Sequence, residues 1–483
     1  MKLPEIIQGG MGIGVSGWEL AKEVALNGQL GVVSGTALDV MMARKLQGGD
    51  RGGHIRRALD AFPDQKMAGR ILDRYFVNRG IKDRFRFKQV PRFSLNPSEE
   101  LVELTVIANF VEVYLAKEGH EGQVGINLLE KIQMPNLYSL YGAMLAGVDY
   151  VIMGAGIPLE IPGIMDKLTR HEKVRLTLTV EEASPEDDFA MTFDPVSFFR
   201  EFNGPLEVLP RPAFLPIVSS NVLAMVMMQK ATGKVDGLIV EEHCAGGHNA
   251  PPRGKMNLSD EGEPIYGPKD GVNLDKLKEL NVPFWLAGNY GDEEHFQKAR
   301  EAGAAGVQVG TAFQFCRESG LAAEFKAKIM ETIKKGVARV FTDPLASPTG
   351  FPFKVISFGE SLSEKLDFLS RPRICDLGYL RRIYKKADGS LGYRCPAEPK
   401  EAYVAKGGKV EDTEGRKCLC NALLANISLP RMQLTGYLEK PLVTAGTCLE
   451  MMKSFIDRGM SSYSAKDVIT AILGARPAVV KSR

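Results

Sequence analysis

Eight short apolar runs, most of them followed by a helix-forming stretch, predict an α/β chain closed as a (β/α)8 barrel, the TIM-barrel architecture. Two further observations point the same way. The runs fall within about the first 335 residues, leaving room for helical and hairpin insertions and a C-terminal cap. The chain also holds 50 glycines, many placed where a β-like run ends, as α/β proteins with ligand loops at strand ends require.

The first strand lies within Glu5–Gly10 and opens into the glycine loop Gly9-Gly-Met-Gly-Ile-Gly14. Ser16 is placed to cap a helix over Gly17–Asn27, which Gly28 stops. Leu30–Gly35 is the second strand, and its helix starts near Ala37 and ends near Leu46. Residues 48–120, rich in Arg, Lys, Asp and Phe, break the rhythm and read as an insertion with a helix over Glu99–Lys117. The rhythm resumes with a strand over Gln123–Leu129, a helix over Pro135–Ala146 and a strand over Asp149–Gly154. A second insertion, 170–205, carries an alternating run, Val174–Val180, with Met191–Phe193 as its hairpin partner. Ala213–Ser219, Gly237–Glu242, Pro283–Ala287 and Gly306–Gly310 complete the strands. Their helices are placed at Asn221–Ala231, Leu274–Leu280, Glu293–Ala302 and Gly320–Lys334. The barrel is therefore assigned to 1–335. A cap subdomain is assigned to 336–483, with a rigid segment over Thr342–Pro352, four cysteines and a last helix over Ala465–Leu473.

With 483 residues, 44% hydrophobic, the chain can bury a large core, enough for two or three domains by length alone. Its 61 basic and 59 acidic residues leave a net charge of +2, which gives no electrostatic footprint for nucleic acid or a membrane surface. No apolar run reaches the roughly 20 residues that span a bilayer. The N-terminus enters a strand directly and has no signal-peptide pattern, and the seven cysteines are an odd number on a large chain. The expectation is a cytoplasmic protein with free thiols. Its partner would be a small-molecule substrate, with a homo-oligomer left open.

The stretch Val240–Arg253, V-E-E-H-C-A-G-G-H-N-A-P-P-R, stands out. Gly246 and Gly247 let the backbone approach a bulky group, and His248 follows at the end of a strand, where barrels place chemistry. The same residues also suit a polar loop with an incidental histidine. Gly12-Ile-Gly-Val-Ser-Gly17 fits G-x-G-x-x-G, with Asp39 near the place of a ribose-binding acid; this supports a doubly wound dinucleotide fold as the rival. Against it, Asp39 lies beyond the strand tip and the strand count runs on. Leu286–Gly291 and Val309–Ala312 follow strands seven and eight, where barrels commonly hold a phosphate on backbone N–H groups.

Taken in order, Ile6-Ile-Gln-Gly-Gly-Met11, Gly125-Ile-Asn127, Gly154-Ala-Gly156, Cys244-Ala-Gly-Gly-His248, Ala287-Gly288 and Val307-Gln-Val-Gly-Thr311 resemble the nitronate monooxygenase (2-nitropropane dioxygenase) family. That family is related to flavin-dependent enoyl-ACP reductases. The resemblance covers about residues 4–320 and skips both insertions. It implies a TIM barrel holding FMN, with Gly10 and Met11 against the isoalloxazine and Asn127 at its polar edge. It further implies Ser219 or Ser220 near the ring, Gly247 and His248 over the reactive face, and Gly288, Asn289, Gly310 and Thr311 around the phosphate. The chain departs from the family at Asn289, where a glycine is usual, and at Glu242-His-Cys244.

The implied activity is FMN-dependent oxidation of alkyl nitronates by oxygen, with His248 accepting a proton beside the nitro group or hydrogen-bonding the nitronate. The alternatives are an NAD(P)H-dependent FMN reductase of an enoyl thioester or quinone, and, from another class, a non-catalytic binding subunit on a barrel scaffold. His243, Cys244 and His248 fit no common zinc spacing. Cys375, Cys395, Cys418 and Cys420 lie close in sequence and are candidate ligands for zinc or an iron–sulfur cluster, against a bland alternative of unliganded thiols in an irregular cap. Arg381-Arg-Ile-Tyr-Lys-Lys386 is expected to be a solvated turn, and Met225-Val-Met-Met228 to be packing.

Overall fold

The computed structural model describes residues 2–474, so the end of the expected cap, 475–483, lies outside the described residues. The strands in chain order are β1 (Ile6–Gln8), β2 (Gly31–Ser34), β3 (Val124–Leu129), β4 (Tyr150–Gly154), β5 (Val174–Thr177), β6 (Ala190–Phe193) and β7 (Ala213–Val218). They continue as β8 (Leu238–Glu241), β9 (Phe284–Ala287), β10 (Gly306–Val309), β11 (Val340–Asp343), β12 (Phe353–Ile356), β13 (Arg382–Lys385) and β14 (Leu391–Arg394).

Eight of them form one parallel sheet in the order β1-β10-β9-β8-β7-β4-β3-β2. The sheet closes on itself where Gln8 N–H donates to Leu30 O (3.0 Å) and Leu30 N–H donates to Ile6 O (3.1 Å). All eight expected barrel strands are present. Because side chains alternate along a strand, every second residue enters the barrel. Ile7, Leu30, Val32, Tyr150, Ile152, Leu215, Ile239, Trp285 and Ala287 form this inner cluster, while Ile6, Val33, Ile126, Val151 and Val240 face the helices. Trp285 fills the inner cluster and donates its indole N–H to Pro4 O at 2.8 Å.

The helix Glu99–Lys117 takes its bounds from its termini. Ser98 Oγ accepts from Leu101 N (3.3 Å), Glu99 and Glu100 occupy the first turn, and Lys117 the last. It packs on the helices Trp18–Leu26, Leu38–Gln47 and Asn136–Leu145, so this part of the 48–120 stretch belongs to the helical layer. β5 and β6 form the expected antiparallel hairpin.

Three local expectations are corrected. Ser16 does not cap the first helix, whose N-cap is Gly17. Its hydroxyl donates instead to Gly9 O (3.0 Å) and accepts from Met11 N (3.0 Å), bracing the glycine loop. Asp39 is buried and accepts a hydrogen bond from Tyr379 Oη at 2.5 Å. It ties the second helix to the cap, and with the closed sheet this removes the dinucleotide-fold alternative. The basic run is no solvated turn: Arg382–Lys385 is β13, paired with β14, and Lys385 Nζ bonds Asp187 of the hairpin insertion (2.7 Å).

The cap is woven into the barrel. Its helix Ala465–Ile472 packs on Trp18–Leu26 and Glu293–Glu301, and Glu450–Asp457 packs on Ala323–Lys334.

Candidate active site

A cavity of about 600 Å³ opens above the C-terminal ends of the barrel strands, a volume suited to a cofactor-sized ligand. Gly10, Met11, Asn127, Ser219, Ser220, Gly247, His248, Gly288, Gly310 and Thr311 line it together. Asn289 is not brought to the wall. Its Nδ2 is 3.5 Å from His295 Nε2, and its Oδ1 is buried without a partner.

His248 is held from two sides. Gly247 adopts the left-handed conformation (φ +83°) that turns the chain after β8. The cap strand β12 then pairs with the loop: Lys354 N–H donates to Gly247 O and Asn249 N–H to Pro352 O, both at 2.9 Å. The imidazole sits edge-on to Phe353 with ring centres 4.9 Å apart, and its Nε2 is 2.7 Å from Ser347 Oγ. Ser347 Oγ in turn lies 2.8 Å from Thr349 Oγ1. If the proton sits on Nε2 and passes its hydrogen bond to Ser347, Nδ1 is left as the basic nitrogen. Burial, helped by the charge of Lys131, lowers the His248 pKa to about 4, so the imidazole is neutral at physiological pH.

Sequence reasoning missed Glu241. Ile239 points into the barrel, so Glu241, two residues on, points the same way at the top of β8 and reaches the cavity. Its carboxyl makes no hydrogen bond among the described residues, and burial raises its pKa to about 8, opposed by Lys354. Strand alternation alone could have flagged it. The next carboxylate, Glu242, is occupied: it accepts from Tyr290 Oη at 2.8 Å and lies 3.7 Å from Cys244 Sγ. His243 stacks on Tyr266 with ring centres 4.3 Å apart. Gln308 was also missed. It lines the cavity, and its Oε1 is buried without a partner.

The glycines make the wall what it is. A Cβ on Gly10 would fall 2.4 Å from Asn127 Cβ, so only glycine lets the first loop lie against Asn127. Gly288 has φ +134°, and a Cβ there would meet Cys244 Sγ at 2.8 Å. Asn127 is fixed by donating to Ile152 O at 3.1 Å. Ser220 has a structural duty, capping the helix Asn221–Lys230 through Leu223 N (3.1 Å). Thr311 Oγ1 accepts from Gly446 N at 2.8 Å, which brings the cap segment 444–446 onto the wall. Leu423, Met451 and Met452 add an apolar stretch that no sequence signal announced.

These residues fit a flavin. Bare glycine backbone after β1, β8, β9 and β10, the fixed amide of Asn127 and the orphan carbonyl oxygen of Gln308 offer what a large, flat, polar-edged ring with a phosphate arm needs.

The four cap cysteines do not form the expected metal centre. Among the described residues, no three His, Cys, Asp or Glu side chains are arranged to hold a metal ion. All four do border one small cavity. None of the seven cysteines forms a disulfide among the described residues.

Residues 212–345 match the family model described as nitronate monooxygenase. No curated protein matches the sequence. Among solved structures, FabK from Thermotoga maritima is 16% identical, with 98% of this chain and 93% of that chain covered and a TM-score of 0.45. Nitroalkane oxidase from Streptomyces ansochromogenes is 14% identical over 73% of this chain and 77% of that chain, with a TM-score of 0.39. The enoyl reductase domain of MlnA from Bacillus amyloliquefaciens is 11% identical over 74% and 64%, with a TM-score of 0.38.

Proposed function

With residues 212–345 taken as a segment of the nitronate monooxygenase family, we propose that the chain is an FMN-dependent oxidoreductase that oxidises alkyl nitronates with oxygen. One observation supports this above the others: a neutral histidine, a fixed amide and the glycine loops after β1, β8, β9 and β10 share a single cavity wall. Gly10, Met11, Asn127 and Gln308 would hold the flavin ring, and Gly288, Gly310 and Thr311 its phosphate. Bound there, FMN would take electrons from the substrate and pass them to oxygen.

The chain's own residues supply the rest. His248, uncharged and backed by Ser347, accepts the acidic proton beside a nitro group at Nδ1 or donates a hydrogen bond to a nitronate oxygen. Glu241, protonated at neutral pH, adds no negative charge that would repel an anionic substrate. Phe351, Leu423, Met451 and Met452 keep water from one side of the cavity.

The same apolar stretch favours a second reading, an NAD(P)H-dependent reductase of a substrate with a hydrocarbon tail, such as an enoyl thioester. The purified protein should be yellow with a flavin spectrum. Nitronate-dependent oxygen uptake without NAD(P)H supports the first reading, and anaerobic bleaching by NADH or NADPH the second. A colourless chain that fails to take up added FMN would overturn both and leave a binding subunit.

A further inference from the structure

The four cap thiols that hold no metal are still placed together. Cys375, Cys395, Cys418 and Cys420 border one small cavity, and Pro348 borders it with them. Within it Cys395 is buried and Cys375 partly exposed, and the two thiols act on each other's acidity. The two residues flank the β13–β14 hairpin, so a link between them would close a loop already held by strand pairing.

We propose that Cys375 and Cys395 form a hydroperoxide-reactive dithiol, a modification site in the cap whose oxidation is felt at His248 through Pro348 and Ser347. Cys375 is the attacking sulfur. The neighbouring thiol of Cys395 and the charge of Arg381 hold its thiol below the ordinary range, while Cys395 is held above it by the neighbouring Cys375 and by burial. In the first step the Cys375 thiolate attacks one oxygen of hydrogen peroxide. The O–O bond breaks, a sulfenic acid forms, and the hydroxide released takes a proton to leave as water. In the second step Cys395 sulfur attacks the Cys375 sulfur. The S–O bond breaks, a second water leaves with the thiol proton, and the disulfide carries the two electrons' worth of oxidation.

The path to the active site is short. Ser347, which holds His248 Nε2 at 2.7 Å, precedes Pro348 of the thiol cavity. Its carbonyl accepts from Arg416 (2.7 Å), and Lys417 N–H donates to Ala346 O (2.8 Å) just before Cys418. Drawing Cys375 and Cys395 together therefore moves a wall shared with the turn that orients the imidazole. The proposal is independent of whether the barrel cavity binds a flavin.

The test is peptide mapping by mass spectrometry of the reduced full chain after hydrogen peroxide and alkylation, without reductant. A Cys375–Cys395 cross-link with loss of two thiols is expected. Cys395→Ser should leave a Cys375 sulfenic acid trapped by a dimedone probe, and Cys375→Ser should slow oxidation of Cys395 at least tenfold. Hydrogen exchange at 345–349 and 247–249 should change on oxidation of the wild type. Free Cys375 and Cys395 after peroxide has oxidised Cys448 would overturn the site; unchanged exchange in the cross-linked protein would overturn the coupling.

Discussion

His248 and Glu241 titrate in opposite senses for the same reason. Burial disfavours charge on both, which lowers the histidine to about 4 and raises the carboxyl to about 8. The pair is therefore uncharged between these values. Above about pH 8, Glu241 gains a negative charge inside the cavity, and KM for an anionic nitronate should rise. Glu241→Gln stays neutral, so its KM should be flat through that range in steady-state assays; a wild-type step that persists in this variant would remove Glu241 as its source. His248→Ala should lower kcat by about 100-fold or more, the usual scale for a lost proton acceptor. Ser347→Ala should cost less, about tenfold, with the flavin spectrum retained. The place of His248 on the cavity wall was legible only once the strand count put its loop after the sixth strand and the ordered glycine motifs joined it, since the stretch alone suits a plain polar loop equally well. Its restraint by Ser347 was not, because that residue lies 99 positions away. Ser220 shows the converse: a polar residue in the right place whose hydroxyl is spent on a helix cap.

At the scale of elements, the strands were legible because two periodicities alternate cleanly. Short apolar runs bounded by glycine give strands, and runs with helical spacing give the outer layer. The basic run at 381–386 was not legible, since its partners Asp187 and Phe93 come from distant insertions. Asp39 carries a prediction that belongs to this scale, because it joins the helix Leu38–Gln47 to Tyr379 of the cap. Its carboxyl is raised from 3.8 to about 6 by burial. Folding thus gains most from this group below its unfolded pKa, and the gain is lost as pH rises through about 6. Asp39→Asn keeps an acceptor for Tyr379 but cannot ionise. Between pH 4 and 7.5 the stability difference should shift toward the variant by roughly 3 kcal/mol, measured by urea unfolding. A difference that does not change with pH would show that the carboxyl does not titrate there.

For the whole molecule, composition supported a large core, but a division at residue 335 gives no sense of how the two parts hold one another. β12 runs beside the His248 loop, Ala465–Ile472 packs on the first barrel helix, and Tyr463 donates to Ala312 O at 2.8 Å. A chain ending at 335 would expose the apolar surface that Phe353, Leu424, Val443, Phe455 and Ile469 now cover. It should be insoluble, or collapsed without cooperative thermal unfolding. A soluble, cooperatively folded 1–335 fragment would show the barrel to be self-sufficient. The tail's part in the site had no local sequence signal, because nothing in residues 444–452 announces the cavity they face.

The cavity wall draws on Gly9 and on Met452, residues 443 positions apart in the sequence. During synthesis, most of the barrel leaves the ribosome well before the segment that seats Gly246, Gly247 and Thr311. Any ligand that needs the finished wall must wait for it. Loading of any such ligand then waits until translation has passed residue 452.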